Sequence, residues 1–287
     1  MSPFSYGLNA STVRGTPVLD QVRIAALAGY RAIELWYADT DAHLAGGGSL
    51  GEIRRAVADA GLVVPSLIYV AGWFDCAPSA WPSVRDVVAR RLAEAAEIGA
   101  RHVICSPPAG RADLVTGAGR YAELLGLGRS VGVEPSFEFL GFVEQYRRID
   151  DALAVLAHAG GGTTVVDPFH LFRGGDALDS LSRLRADQIA VSHFNDVTGS
   201  VPRDLQGDGD RVLPGDGILD LRDYSGGFGP RASGACCPWN SSGRTCGRGT
   251  LRRSPGSAWR RCARWWSHEG RMHPGGGGRV GRGAGVA

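Results

Sequence analysis

The sequence predicts an α/β fold, a TIM-type (β/α)8 barrel lacking a proper eighth strand. Three observations carry that expectation. Seven short apolar runs alternate with helical patterns, as in a parallel sheet wrapped by helices. Acids and histidines stand at the C-terminal ends of several runs, where this fold builds its sites. The 287 residues also leave room for a barrel, which takes about 250.

The elements follow in order. FSYGLN near Phe4 reads as the first strand. Thr16 then Pro17 places an N-cap before a proline at the first helical position, and Gly29 closes that helix. AIELW, ending at Trp36, is the second strand. Ser49 and Glu52 have capping-box spacing, with Gly61 at the far end of their helix. VVPSLIYV, ending at Val70, is the third strand, and Val84, Val87, Val88, Leu92 and Ala95 then share one helical face. HVICS ending at Ser106 and GVEPSFEFLG around Glu138 are the fourth and fifth strands. Leu153, Val155 and Leu156 mark a helix less cleanly; TTVVD ending at Asp167 and IAVSHFND ending at Asp196 complete the seven strands. An open doubly wound sheet is the competing architecture, but GLNASTVRG after the first strand has neither GxGxxG nor GxxxxGK[ST].

The formal charge of +2 joins two unlike parts. Residues 1–223 carry 20 Arg against 28 acids, a net of −8, whereas residues 224–287 carry 11 Arg against the single acid Glu269, a net of +10. Cys76 and Cys105 lie in the first part and Cys236, Cys237, Cys246 and Cys262 in the second, with no zinc-ligand spacing. All 31 basic residues are Arg, which suggests a GC-rich coding sequence. The start MSPFSYGLNAS has no signal-peptide pattern and no run of about 18 apolar residues occurs, so the expected location is the cytoplasm.

Strands buried on both faces should be apolar, so polar residues at their ends need a reason. Glu138 ends the fifth strand, Asp167 and His170 the sixth, and His193 the seventh. In a barrel these ends converge on one mouth, and two carboxylates with imidazole there suit one divalent ion, Mn²⁺, Mg²⁺, Co²⁺ or Zn²⁺. Each residue also has a plainer reading: Glu138 paired with an Arg, His193 as a hydrogen-bonded core residue, Asp167 starting a turn before Pro168. Arg211 in DRVLPGDG can lie over the mouth to contact a substrate oxygen, or sit on the surface of a Pro-Gly turn. Trp36, Trp73, Phe74 and Trp81 either wall the mouth or pack in the core. His43, His102 and His158 read as solvent-facing or structural.

EFLG at Glu138, DPFH at Asp167 to His170, SHFND at His193 to Asp196 and DRVLPGDGILDL at Asp210 to Leu221 resemble the xylose isomerase-like TIM-barrel sugar isomerase/epimerase family. GYRAIELW at Gly29 to Trp36 also fits, and the resemblance spans roughly residues 4–223. The order and spacing are most similar to the 2-keto-myo-inositol (inosose) isomerases. The resemblance implies one divalent metal held by Glu138, Asp167, His193 and a second Glu from the eighth strand. His170 and Arg211 then resemble substrate contacts. The implied reaction moves a proton between carbons next to a ketone through an enediolate, with Glu138 as base on one face. The implied partner is a small sugar or cyclitol; a homo-oligomer is left open.

The family pattern stops near Asp223, and no VSVELF-like eighth strand follows. Trp has only the codon TGG and Asn only AAT or AAC. In the frame that starts at each third base, Trp239 followed by Asn240 therefore contains GAA, a Glu. Around it, Ala232 to Gly243 permits FRGVLSVELFG, and Gly243 to Leu251 permits PDVWARDP. Residues 224–287 thus read as an out-of-frame, Arg/Gly-rich, disordered tail; the rival reading is a basic tail that binds nucleic acid. Three other functions compete with isomerisation. A dehydratase would use the same site, a repair nuclease of the endonuclease IV type would need more metal ligands, and an inactive relative would bind no metal.

Overall fold

The computed structural model describes residues 5–222, 224 and 236–239. Strands β1 (Ser5–Asn9), β2 (Ala32–Trp36), β3 (Val64–Val70), β4 (Ala100–Cys105), β5 (Glu134–Glu138), β6 (Thr163–Val166) and β7 (Ile189–Ser192) occupy the seven expected places. All pair in parallel, in the order β1-β2-β3-β4-β5-β6-β7 around the barrel. Helices α1 (Val18–Leu27), α2 (Tyr37–Ala45), α3 (Leu50–Asp59), α4 (Trp81–Ile98), α5 (Leu114–Val131), α6 (Ile149–His158) and α7 (Pro168–Gly174) link them.

Local chemistry accounts for several boundaries. Ser49 and Glu52 form the expected capping box at the start of α3. Helix α1 begins one residue later than its Thr16-Pro17 signal: Pro17 is the N-cap and makes no side-chain cap bond, while Gln21 Nε2 donates to the Thr16 carbonyl. On α4 the buried line is Val88, Leu92, Ala95 and Ile98; Val87, expected on that face, is 44% exposed. The seventh strand ends at Ser192, short of Asp196. Asp196–Val197 (β8) turns away and pairs antiparallel with Arg211–Val212 (β9). The Asp196 carboxylate explains the break, because it accepts the N–H groups of Val197, Gly215, Gly217 and Leu219 and ties the loop to itself.

The seven parallel strands are the expected ones, and no VSVELF-like eighth strand stands among the described residues; only a short segment takes that place. Cys236–Trp239 (β10) fills the gap and closes the barrel, matching Ser5 to Leu8 of β1 with Cys236 to Trp239 and touching β7 at Cys236 and Val191. Backbone drives this: without such a segment the facing edges of β1 and β7 would leave N–H and C=O groups open, and an extended chain of almost any sequence can satisfy them. Pro238 gives no N–H to the ladder, which suits a short closing strand. Apart from Tyr224 and β10, the expected disordered tail lies outside the described residues.

Candidate active site at the barrel mouth

The five residues singled out in the sequence come together at the C-terminal end of the strands. Glu138 closes β5, Asp167 caps α7, His170 sits in the first turn of α7, His193 follows β7 and Arg211 opens β9. All are buried. Asp167 accepts from Phe169 N–H and Asn195 Nδ2 at Oδ1, both at 2.8 Å. Its Oδ2 meets His193 Nδ1 at 3.2 Å and Arg211 Nη2 at 3.0 Å. His193 Nδ1 also lies 3.4 Å from Glu138 Oε1. His170 takes the Gly141 N–H on Nδ1 at 3.2 Å, while its Nε2 lies 3.1 Å from Arg211 Nη2 and 3.9 Å from Glu138 Oε1. Arg211 is further held by Asp208 and stacks 4.1 Å over the Phe169 ring.

One member of this cluster is absent from the sequence reading. Glu34 in β2 is fully buried and lies 3.1 Å from His193 Nε2. Its signal was an acid between Ile33 and Leu35 in an apolar strand, but a strand acid alone does not show which side chain it will meet.

Electrostatics tie these groups together. Burial alone would raise the Asp167 carboxyl, yet Arg211 and the His193 hydrogen bond outweigh it and hold it well below the usual range. For His193 burial disfavours the charged ring, but Glu34, Asp167 and Glu138 prevail and push it well above its ordinary value. Burial holds His170 below its usual range, and Arg211 adds to this against the pull of Asp167 and Glu138. Three buried carboxylates, Glu34, Glu138 and Asp167, thus face one permanent cation, Arg211. Such a surplus of buried negative charge needs a counter-charge, which a proton on His193 or a divalent ion can supply. Glu138, Asp167 and His170 offer ligand atoms all within 4.8 Å of one another, so the donor set fits a metal ion.

The sequence profile described as xylose isomerase-like TIM barrel matches residues 22–226. The chain belongs to this family. No curated protein matches the sequence. Among solved structures, this xylose isomerase-like barrel is similar to the IOLI protein crystallised with a bound zinc atom: TM-score 0.84, 16% identity, covering 94% of this chain and 100% of that one. It is also similar to L-ribulose 3-epimerase, with TM-score 0.73, 15% identity and coverage of 94% and 100%. A probable 3-DHS dehydratase, AsbF, from Bacillus anthracis gives TM-score 0.73 at 14% identity, covering 91% and 99%. At these identities the likeness is one of fold.

The mouth opens into a cavity of about 560 Å³ that holds Glu138, His170, His193 and Arg211. Trp36, Tyr69, Pro107 and Phe142 form its apolar walls. Of the four aromatics expected near the mouth only Trp36 lines it. Trp73 and Phe74 pack in the core with Tyr121, Phe137 and Tyr146, and Trp81 lies under Arg120 on α4. A larger cavity, about 760 Å³, opens at the opposite end beside Arg101, His102, Arg129 and Gly160 to Gly162. Among the described residues it brings together one imidazole, His102, and one carboxylate, Glu134, but no three-residue ligand group, and the N-terminal end of a barrel is the structural end. Of the remaining described histidines, His43 pairs with Glu52, His158 is exposed on α6, and His102 is held by Ser136, in line with a solvent-facing or structural place for each.

Proposed function

We propose that the protein is a divalent-metal-dependent isomerase or epimerase of a small sugar or cyclitol ketone, inosose-like in kind, acting in the cytoplasm. The supporting observation is the meeting of two carboxylates, two imidazoles and a guanidinium at the mouth of a polyol-sized cavity. Glu138, Asp167 and His193 are the proposed metal ligands. His193 Nδ1 stands 3.2 and 3.4 Å from one oxygen of each carboxylate, the spacing that bonds of about 2.1 Å at tetrahedral or octahedral angles produce. His170 is the poorer third ligand, since Arg211 already brings a positive charge to 3.1 Å from its Nε2. His170 and Arg211 are therefore assigned to the substrate's oxygens.

A bound divalent ion supplies Lewis-acid polarisation of the ketone and the neighbouring hydroxyl. Glu138, lining the cavity, removes the proton on one face of the substrate. Arg211, fixed by Asp167, Asp208 and Phe169, orients an oxygen without having to be ordered on binding. Neutral His170 accepts or returns a hydroxyl proton. The aromatic walls exclude water from the carbanion-like intermediate.

The test is incubation of Mn²⁺-loaded protein with inosose and with ketohexoses in D₂O. Turnover and deuterium at the carbon next to the ketone are expected. Chelator should abolish both, and Asp167→Asn should lower metal affinity by about 10²-fold or more. Metal-independent turnover, or product without solvent deuterium, overturns the proposal. Loss of a β-hydroxyl from the substrate would instead identify a dehydratase.

A further inference from the structure

Glu34 does not line the mouth cavity, so it is no acid or base toward a substrate lying there. It is nevertheless a carboxylate buried to zero exposure in an apolar strand, a placement that is unfavourable unless every oxygen is paired. Three donors converge on it. Asn9 Nδ2 lies at 2.5 Å, Ser66 Oγ at 2.6 Å and His193 Nε2 at 3.1 Å. Asn9 is itself fixed, because its Oδ1 accepts from Ser11 N–H at 2.9 Å and from Trp36 Nε1 at 3.0 Å. Strands β1 and β3 thus clamp the carboxylate from both sides before His193 reaches it.

Asn9 and Ser66 already donate to Glu34, so its oxygens act as acceptors and the His193 nitrogen that faces them carries hydrogen. A neutral imidazole has one ring hydrogen. With that hydrogen on Nε2, the lone pair lies on Nδ1, the atom aimed between Glu138 and Asp167. We infer that Glu34 is a positioning residue that fixes His193 as its Nε2–H tautomer and directs the Nδ1 lone pair at the divalent ion. Histidine ligands in metalloproteins commonly gain basicity and orientation from such an outer carboxylate. The inference rests on the proposed ligand role of His193.

The test is Glu34→Gln, with Glu34→Asp as a second variant that keeps the charge but withdraws it from the ring. Zn²⁺ and Mn²⁺ affinities are measured by calorimetry, ring ¹⁵N shifts of the Zn²⁺-loaded protein report the His193 tautomer, and melting of the metal-free protein reports folding. Both variants should bind metal 10- to 100-fold more weakly than the wild type. In Glu34→Gln the ¹⁵N shift of the His193 Nε2–H should also lose the signature of a hydrogen bond to a carboxylate. Unchanged affinity and unchanged ¹⁵N shifts in a folded variant overturn the positioning role and leave Glu34 a structural residue. A wild type that binds neither metal overturns the ligand reading itself, and the role of Glu34 with it.

Discussion

His102 stands at the start of β4, largely buried, with its Nδ1 3.0 Å from Ser136 Oγ. Burial, helped by the neighbouring Arg101 charge, lowers its pKa to about 4. The unfolded ring titrates near 6.5. Between those values the unfolded chain binds a proton that the folded chain refuses, so stability falls as pH drops from about 6.5 toward 4. His102→Gln removes this contribution. Urea unfolding of the two proteins at pH 7 and pH 4.5 should show the wild type losing roughly 2 kcal/mol more than the variant. Equal losses would mean that the ring titrates normally. The sequence could not separate His102 from His43 or His158, since nothing local distinguishes a histidine that a strand buries from one left on a surface. Glu138, Asp167, His170, His193 and Arg211 were legible for the opposite reason: strand ends and recurrent motifs fixed their place. Glu34 was not, because its meaning depends on His193, 159 positions away.

Helix α5 shows how an element can hide. Gly117, Gly119, Gly126 and Gly128 interrupt any apolar pattern across residues 114–131, so this helix is expected only from the strand–helix alternation and not from its own residues. Packing explains two of them. A Cβ at Gly117 would lie 2.0 Å from Phe74 Cε1, and one at Gly128 would lie 2.2 Å from the Val133 carbonyl oxygen. Phe74 is locked in the aromatic cluster, with Tyr146 at 4.5 Å and Trp73 at 5.1 Å, so it cannot yield easily. Gly117→Ala should therefore destabilise the protein by about 1–3 kcal/mol despite the better helix propensity of Ala. Gly119→Ala, with open space around its Cβ, should stabilise it by about 0.5–1 kcal/mol. Denaturant titration of both variants distinguishes them; a shift of the same sign in both would contradict the packing account. The strands were easier to read because each is a short apolar block between turn residues. Their ends were less so, since the Asp196 carboxylate, not propensity, stops β7 early.

At the scale of the whole molecule the basic part of the charge pattern enters the barrel at β10. This strand, Cys236–Trp239, falls on the stretch that the alternate frame permits as LSVE, inside the string carrying the forced Glu. That coincidence supports our proposal that residues 1–223 are the barrel proper and that 224–287 are out-of-frame text, standing where a ligand-bearing strand belongs. A frame-restored chain should bind Mn²⁺ at least tenfold more tightly and melt at higher temperature than the present one. Equal affinity and melting in the two would remove the second Glu, as fourth ligand, from the account. Backbone closure by β10 was not legible in residue types, since strand pairing needs only an extended chain and open edges. The pairing of Glu34 with His193 has a consequence in time. During synthesis, Asn9, Glu34 and Ser66 leave the ribosome early, whereas His193 and Arg211 follow only after most of the barrel has emerged. The acids of this network therefore emerge before the histidine and arginine that offset their charge, and under the proposed ligand set the ion site is complete only once His193 has joined it.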